Sequence, residues 1–166
     1  MVEFALNLLT LGSEQLGIPD TEYSSICTLS SSEFSRICRE MSQIAETSRI
    51  YLRFSFHYFE LLFLVDIETS KQSLKFSVAG EIGGGSISLR ANTGEKKDEQ
   101  TFLQIEEPVS LSFALRYLNL FNKAQSLSPQ VVVYMASGVP LVVEYKTDKI
   151  GSLKFYLAPK INDEDM

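Results

Sequence analysis

Between Ser30 and Ile44 the apolar residues fall at helical spacing, with Phe34, Ile37, Cys38, Met41 and Ile44 on one stripe. That is the pattern of a helix packed by one face. Ser30-Ser31-Ser32-Glu33 supplies its start, with hydroxyls for orphan N–H groups and an early acid for the helix dipole. Arg36 and Arg39, three apart, share a face nearly opposite the stripe. A second helix repeats the arrangement: Ala114, Leu118 and Phe121 mark one side with Tyr117 beside them, while Arg116 and Lys123 lie two turns apart on the other.

Strand patterns surround both helices. Glu22 to Leu29 alternates loosely; Leu74 to Ala79 and Ser86 to Arg90 lie between the helices. Thr101 to Ile105, Val131 to Met135 and Leu141 to Tyr145 surround the second. Phe155 to Leu157 reads as a last strand, stopped by Pro159, which has no N–H for a ladder. The predicted order is strand–helix–strand–strand–strand, twice, an α+β domain with an internal repeat. Ahead of it, Phe4 to Leu9 fits a strand or one helical turn, broken at Gly12 and Ser13. Gln15 to Thr21, with Leu16 and Ile18 around Gly17 and before Pro19, is an extended connector. Its two apolar side chains call for packing onto the body or for a ligand. Asn92 to Gln100 is a charged loop between the halves.

One stretch departs from this order. Tyr51 to Val65 holds no Gly, Pro or Asn; its first half alternates as a strand does, and its second is apolar on all sides. A membrane span needs roughly 20 mostly apolar residues. This run is shorter and carries Arg53, His57 and Glu60, so a span is not expected.

Composition narrows the chemistry. The 166 residues suffice for one domain with a sizeable core, and 45% apolar with 22% charged residues is ordinary for a globular protein. Cys27 and Cys38 make no disulfide or metal framework, which fits a reducing compartment and two small buried hydrophobes. The start lacks the basic region and cleavage site of a secretory signal. A net charge of −6 opposes wrapping nucleic acid with the whole surface but allows a local basic face.

No reaction is indicated. The one histidine, His57, lies in the departing stretch, so a Ser-His-Asp or Cys-His site has no support. Gly83-Gly84-Gly85 is not followed by Gly-Lys-Ser/Thr, and reads as a turn needing positive φ rather than a phosphate loop. Glu106-Glu107 and Asp163-Glu164-Asp165 lack metal-ligand spacing. No cofactor or metal is expected. Arg36, Arg39, Arg116 and Lys123 stand on the outer sides of two equivalent helices in an acidic chain, as solvated charges or as a phosphate-contacting face.

Three separated stretches carry a resemblance. Leu157-Ala158-Pro159-Lys160-Ile161 followed by acids, Leu16-Gly17-Ile18-Pro19, and Phe113-Ala114-Leu115-Arg116-Tyr117-Leu118-Asn119 stand in family order. The chain resembles the proliferating cell nuclear antigen family of eukaryotic DNA sliding clamps over nearly its whole length. The resemblance implies a sliding-clamp domain, two βαβββ repeats with two helices packed on antiparallel sheets. Residues 1–21 would be the end of a first domain's edge strand plus the interdomain connector, and residues 22–166 the C-terminal clamp domain. On that comparison the first domain lies outside this sequence.

The resemblance also implies roles. Arg36, Arg39, Arg116 and Lys123 would face non-specifically bound duplex DNA in a central channel. Client proteins, DNA polymerase among them, would insert a short peptide motif between Leu16, Ile18, Pro19 and Tyr23 on the strap, Val139 and Pro140 on a loop, and Tyr156, Leu157, Ala158, Pro159, Lys160 and Ile161 at the C-terminal edge. Ser86, Ile87, Ser88, Leu89 and Arg90 would pair with a neighbouring subunit of a homotrimer. The implied function is a non-enzymatic polymerase processivity factor for DNA replication and repair in the nucleus. A segment of about residues 48–64 exceeds the family pattern, which resumes at Val65-Asp66-Ile67-Glu68; the expectation is an insertion, real or from an unspliced message. Two further functions stay open: a peptide-binding module that never encloses DNA, and a truncated product with neither activity.

Overall fold

The computed structural model describes residues 21–47, 63–80, 83–93, 100–147 and 151–160. The expected strand Phe4 to Leu9, the connector up to residue 20, most of the excess segment including His57, most of the charged loop and the acidic end lie outside them.

Strand β1 (Ser25–Ser30) buries Ser25, Cys27 and Leu29 and leaves alternate residues half-covered, as a pleated strand on a core does. Helix α1 (Ser31–Thr47) follows at once. Of its predicted stripe, Phe34, Ile37, Cys38 and Met41 are buried with Ala45, and Ile44 packs against their edge. Then come β2 (Leu64–Ser70), β3 (Ser73–Gly80), β4 (Gly83–Arg90), β5 (Phe102–Ile105) and β6 (Ser110–Ala114). Helix α2 (Leu115–Phe121) runs into a 3₁₀ turn, Asn122–Leu127, before β7 (Gln130–Met135), β8 (Leu141–Thr147) and β9 (Gly151–Leu157).

All pairings are antiparallel, in sheets of order β5-β1-β7-β8-β9 and β4-β3-β2-β6. The two repeats are β1-α1-β2-β3-β4 and β6-α2-β7-β8-β9. Each lends its first strand to the other's sheet: β1 lies beside β7, and β6 beside β2. Exchanging the repeats maps one sheet onto the other, with β5 as an added edge. One core joins both sheets to both helices, with Phe34 of α1 against Phe76 of β3 at 6.3 Å between ring centroids. Fully burying one such side chain contributes roughly 1.5–3 kcal/mol.

The fold class is as the sequence indicates, with three corrections inside it. The strand leading into the second helix is Ser110–Ala114; Thr101–Ile105, expected in that place, instead forms the outer strand beside β1. The second helix is shorter than its periodicity implied. Its last part, Asn122–Leu127, is a 3₁₀ turn, ahead of Pro129. Lys123 therefore sits in that turn, and Tyr117 is exposed while Leu115 takes the buried place. Of the three consecutive glycines only Gly83 has positive φ, 156°. Gly84 and Gly85 lie within β4, where a Cβ would stand 2.8 Å from the Val78 carbonyl oxygen and 2.6 Å from Ile44 Cδ1 respectively. Close approach, not turn geometry, explains those two.

Candidate functional site

Arg36 and Arg39 on α1, Arg116 on α2 and Lys123 in the 3₁₀ turn all point to solvent, opposite residues that bury into the core. The helices are neighbours, tied by Asn119 of α2. Their environments differ. Arg36 is gripped by two acids: Nη2 and Nε donate to Glu33 at 2.6 and 3.0 Å, and Nη1 donates to Glu40 at 2.7 Å. Those hydrogen bonds raise the guanidinium pKa further above its usual value. Arg39 makes no ion pair among the described residues. Arg116 lies 4.8 Å above the Tyr117 ring and donates from Nη2 to the Tyr117 hydroxyl at 3.0 Å.

The expected subunit-pairing strand lies at a sheet edge: among the described residues β4 is outermost and pairs only with β3. Ser86, Ser88 and Arg90 are exposed, while Ile87 and Leu89 turn inward onto the core. Alternation thus leaves a polar outer face and an open row of backbone groups.

Of the expected peptide-site residues, Leu16, Ile18, Pro19 and Ile161 lie outside the described residues. Tyr23 is half-buried just before β1; Val139 is half-buried and Pro140 exposed in the turn between β7 and β8, where Gly138 has φ 75°. Tyr156 is 39% exposed and Leu157 half-buried at the end of β9. Beyond them the tail crosses to the other sheet, Lys160 N–H donating to the Ser112 carbonyl of β6 at 2.8 Å. Ala158 and Lys160 are exposed and Pro159 half-buried along this crossing.

Residues outside the sequence-based set join this cluster, Tyr134 and Glu144 among them. Register places Ile26, Tyr134, Val142 and Tyr156 side by side across β1, β7, β8 and β9. They share the face turned away from the core, since their neighbours Val133 and Val143 point into it. The Tyr23 and Tyr134 rings lie 5.5 Å apart at 56°. Burial, and then nearby Tyr156, push the Tyr23 phenol above its ordinary pKa, with a Thr21 hydrogen bond pulling back. Tyr134 donates its hydroxyl to Glu144 at 2.5 Å. Glu144 is only 4% exposed, with Lys146 and Lys154 at 3.8 and 3.9 Å. Burial raises its pKa, but hydrogen bonds from Tyr134 and Ser152 and the two lysine charges outweigh this and leave it below the usual carboxylate value. The sequence carried one signal, a lone acid inside the apolar run Leu141-Val142-Val143-Glu144-Tyr145. Tyr134 gave none, because Val131-Val132-Val133 has no alternation to assign its face.

Burial pushes the Cys27 thiol up to about 12 and the Cys38 thiol up to about 11, so both stay protonated. Among the described residues no group of three or more His, Cys, Asp or Glu can hold a metal ion. No helix among them is long and apolar enough to cross a membrane.

The described geometry thus combines a twofold-repeated α+β domain, basic side chains on paired helices, an open edge strand and an aromatic cluster beside a tail that bridges two sheets. The sequence model of the family described as "Proliferating cell nuclear antigen, C-terminal domain" matches residues 17–55 and 59–160. The match covers most of the chain, and the chain belongs to the proliferating cell nuclear antigen family of sliding clamps.

Proposed function

We propose that this domain works in a DNA sliding clamp, a nuclear processivity factor that encloses duplex DNA and docks DNA polymerase and other replication and repair proteins. The observation that carries the reading is the family match over most of the chain, in a family of non-enzymatic clamps that bind DNA and client proteins as multimers. The exposed basic side chains on both repeats support it. Arg36, Arg39, Arg116 and Lys123 would meet phosphates, which supply charge-dependent affinity without reading bases. The polar, open edge of β4, Ser86 to Arg90, would pair with a strand of the next subunit. The strap residues Leu16, Ile18 and Pro19, with Tyr23, Val139, Pro140 and the segment Tyr156 to Ile161, would take the client peptide. The segment at about residues 48–64 is proposed as an insertion; the family match itself runs through most of it and breaks only between residues 55 and 59.

A second reading has one observation in its favour. Glu33 and Glu40 compensate Arg36, so the exposed face of α1 carries Glu33, Arg36, Arg39 and Glu40 with no net charge. A module that binds client peptides without enclosing DNA needs no basic face. Light scattering on the purified full chain separates the two: a discrete trimer or larger closed species supports the clamp, and a monomer that binds peptide supports the module.

A further inference from the structure

We propose that Tyr134 is a contact residue of the client-peptide site and that Glu144 is its positioning residue, selecting peptides that carry an acidic side chain beside an aromatic anchor. This rests on the client-binding reading above and adds two residues and a charge preference to it. Tyr134 stands in the same cross-strand row as Tyr156, with Val142 between them, and its ring meets Tyr23. Three tyrosines thus converge around one valine on the face away from the core. Rings in such clusters hold aromatic ligand groups at low entropic cost, each having few rotatable bonds. A buried carboxylate on this face costs free energy unless it is used. Glu144 uses it to fix the Tyr134 hydroxyl, and so the direction of the ring, while drawing in Lys146 and Lys154. The two lysine side chains remain 65% and 48% exposed. One carboxylate against two ammonium groups leaves a positive rim, complementary to an acidic side chain on the ligand.

The test is fluorescence anisotropy with the full chain and two labelled short peptides, each with a central Phe, one flanked by Asp and one by Lys. The wild type is expected to bind the Asp-flanked peptide more tightly. Tyr134→Ala weakens that binding by roughly tenfold, as Tyr156→Ala does. Tyr134→Phe, which keeps the ring and loses its anchor, weakens it less. In the Tyr134→Phe background, where the ring anchor is already lost, Glu144→Ala tightens binding of the Asp-flanked peptide because it releases two ammonium groups. In the otherwise wild-type protein the loss of the ring anchor opposes that gain, a coupling that general destabilisation does not give. Lys154→Glu removes or reverses the preference for the Asp-flanked peptide. If Tyr156→Ala weakens binding while Tyr134→Ala, with its melting transition intact, does not, the proposal is wrong and the client-binding reading stands. Tighter binding of the Lys-flanked peptide to the wild type overturns the proposed selection. A wild type that binds neither peptide overturns the proposal together with the reading it rests on.

Discussion

The side-chain amide of Asn119 on α2 donates to Ser42 Oγ on α1 at 2.6 Å, joining residues 77 apart in the chain. Ser42 in turn donates to the Cys38 carbonyl at 2.9 Å, and the Asn119 amide also reaches Leu115 O at 3.3 Å. The two repeats are thus held helix to helix by a polar bridge above an apolar core. Asn119→Ala removes it and leaves Ser42 without its donor. The expected cost is about 1–1.5 kcal/mol, or about 2–6 °C in Tm. Denaturant unfolding followed by circular dichroism measures it; an unchanged midpoint means the bridge contributes nothing.

The glycines of β4 are expected to respond unequally. Gly84→Ala drives its Cβ toward the Val78 carbonyl oxygen, a backbone atom that cannot turn aside. Gly85→Ala meets the end of the Ile44 side chain, which can change rotamer. Gly84→Ala should cost about 1–3 kcal/mol and Gly85→Ala less. Thermal melts of both variants decide the order, and equal losses would contradict it.

Arg36 and Arg39 are expected to differ in DNA binding although the sequence pairs them. Arg36 must leave Glu33 and Glu40 to meet a phosphate, whereas Arg39 has no such pairs among the described residues. Arg39→Ala should flatten the salt dependence of duplex binding by up to about one log unit per log of salt, and evenly across DNA sequences. Arg36→Ala should change it less, and should lower stability by no more than about 1 kcal/mol, its ion pairs being exposed. A change of sequence preference in either variant would refute the phosphate-contact role.

Stability should fall at both ends of the pH scale, for different groups. Glu144 has a folded pKa below its unfolded one, so its contribution is present above the usual carboxylate range, near pH 4–5, and disappears as pH drops through the folded value. Cys38 and Cys27 go the other way. Their contribution is complete below the unfolded thiol value near pH 8.5 and fades as pH rises toward about 11 for Cys38 and about 12 for Cys27. Glu144→Gln should flatten the acid limb alone. At pH 8 neither thiol should react with a disulfide reagent until the protein is unfolded; prompt labelling would contradict the burial.

Much of this architecture was legible because the helices and most strands bury one face and expose the other. The stripe from Phe34 to Met41 sufficed to orient α1, and the last strand announced itself through Phe155 to Leu157 before Pro159. Harder was what depends on partners distant in sequence. Ser110 to Ala114 is only five residues long, and only its pairing with Leu64 to Glu68 makes it the lead strand of the second repeat. The passage from α2 into a 3₁₀ turn keeps a similar residue spacing, so periodicity does not register it. For the candidate sites, Arg36, Arg39 and Arg116 could be placed on exposed helix faces from helical spacing, but not Lys123, which lies in the 3₁₀ turn, nor the neutralisation of Arg36. Glu33 and Glu40 flank Arg36 at three and four residues, a spacing present in the sequence that permits both ion pairs without fixing them. The Tyr134–Glu144 contact arises from strand register, which no local pattern specifies.

The most direct measurement is retention of the full chain on linear duplex DNA whose ends can be capped by streptavidin. A ring threads over open ends and is trapped when they are then capped, and it survives a high-salt wash that screens phosphate contacts. Retention is therefore expected when capping follows incubation, and none when capping precedes it. Retention that ignores the order of capping, or is abolished by salt in both, would contradict a clamp that encloses DNA.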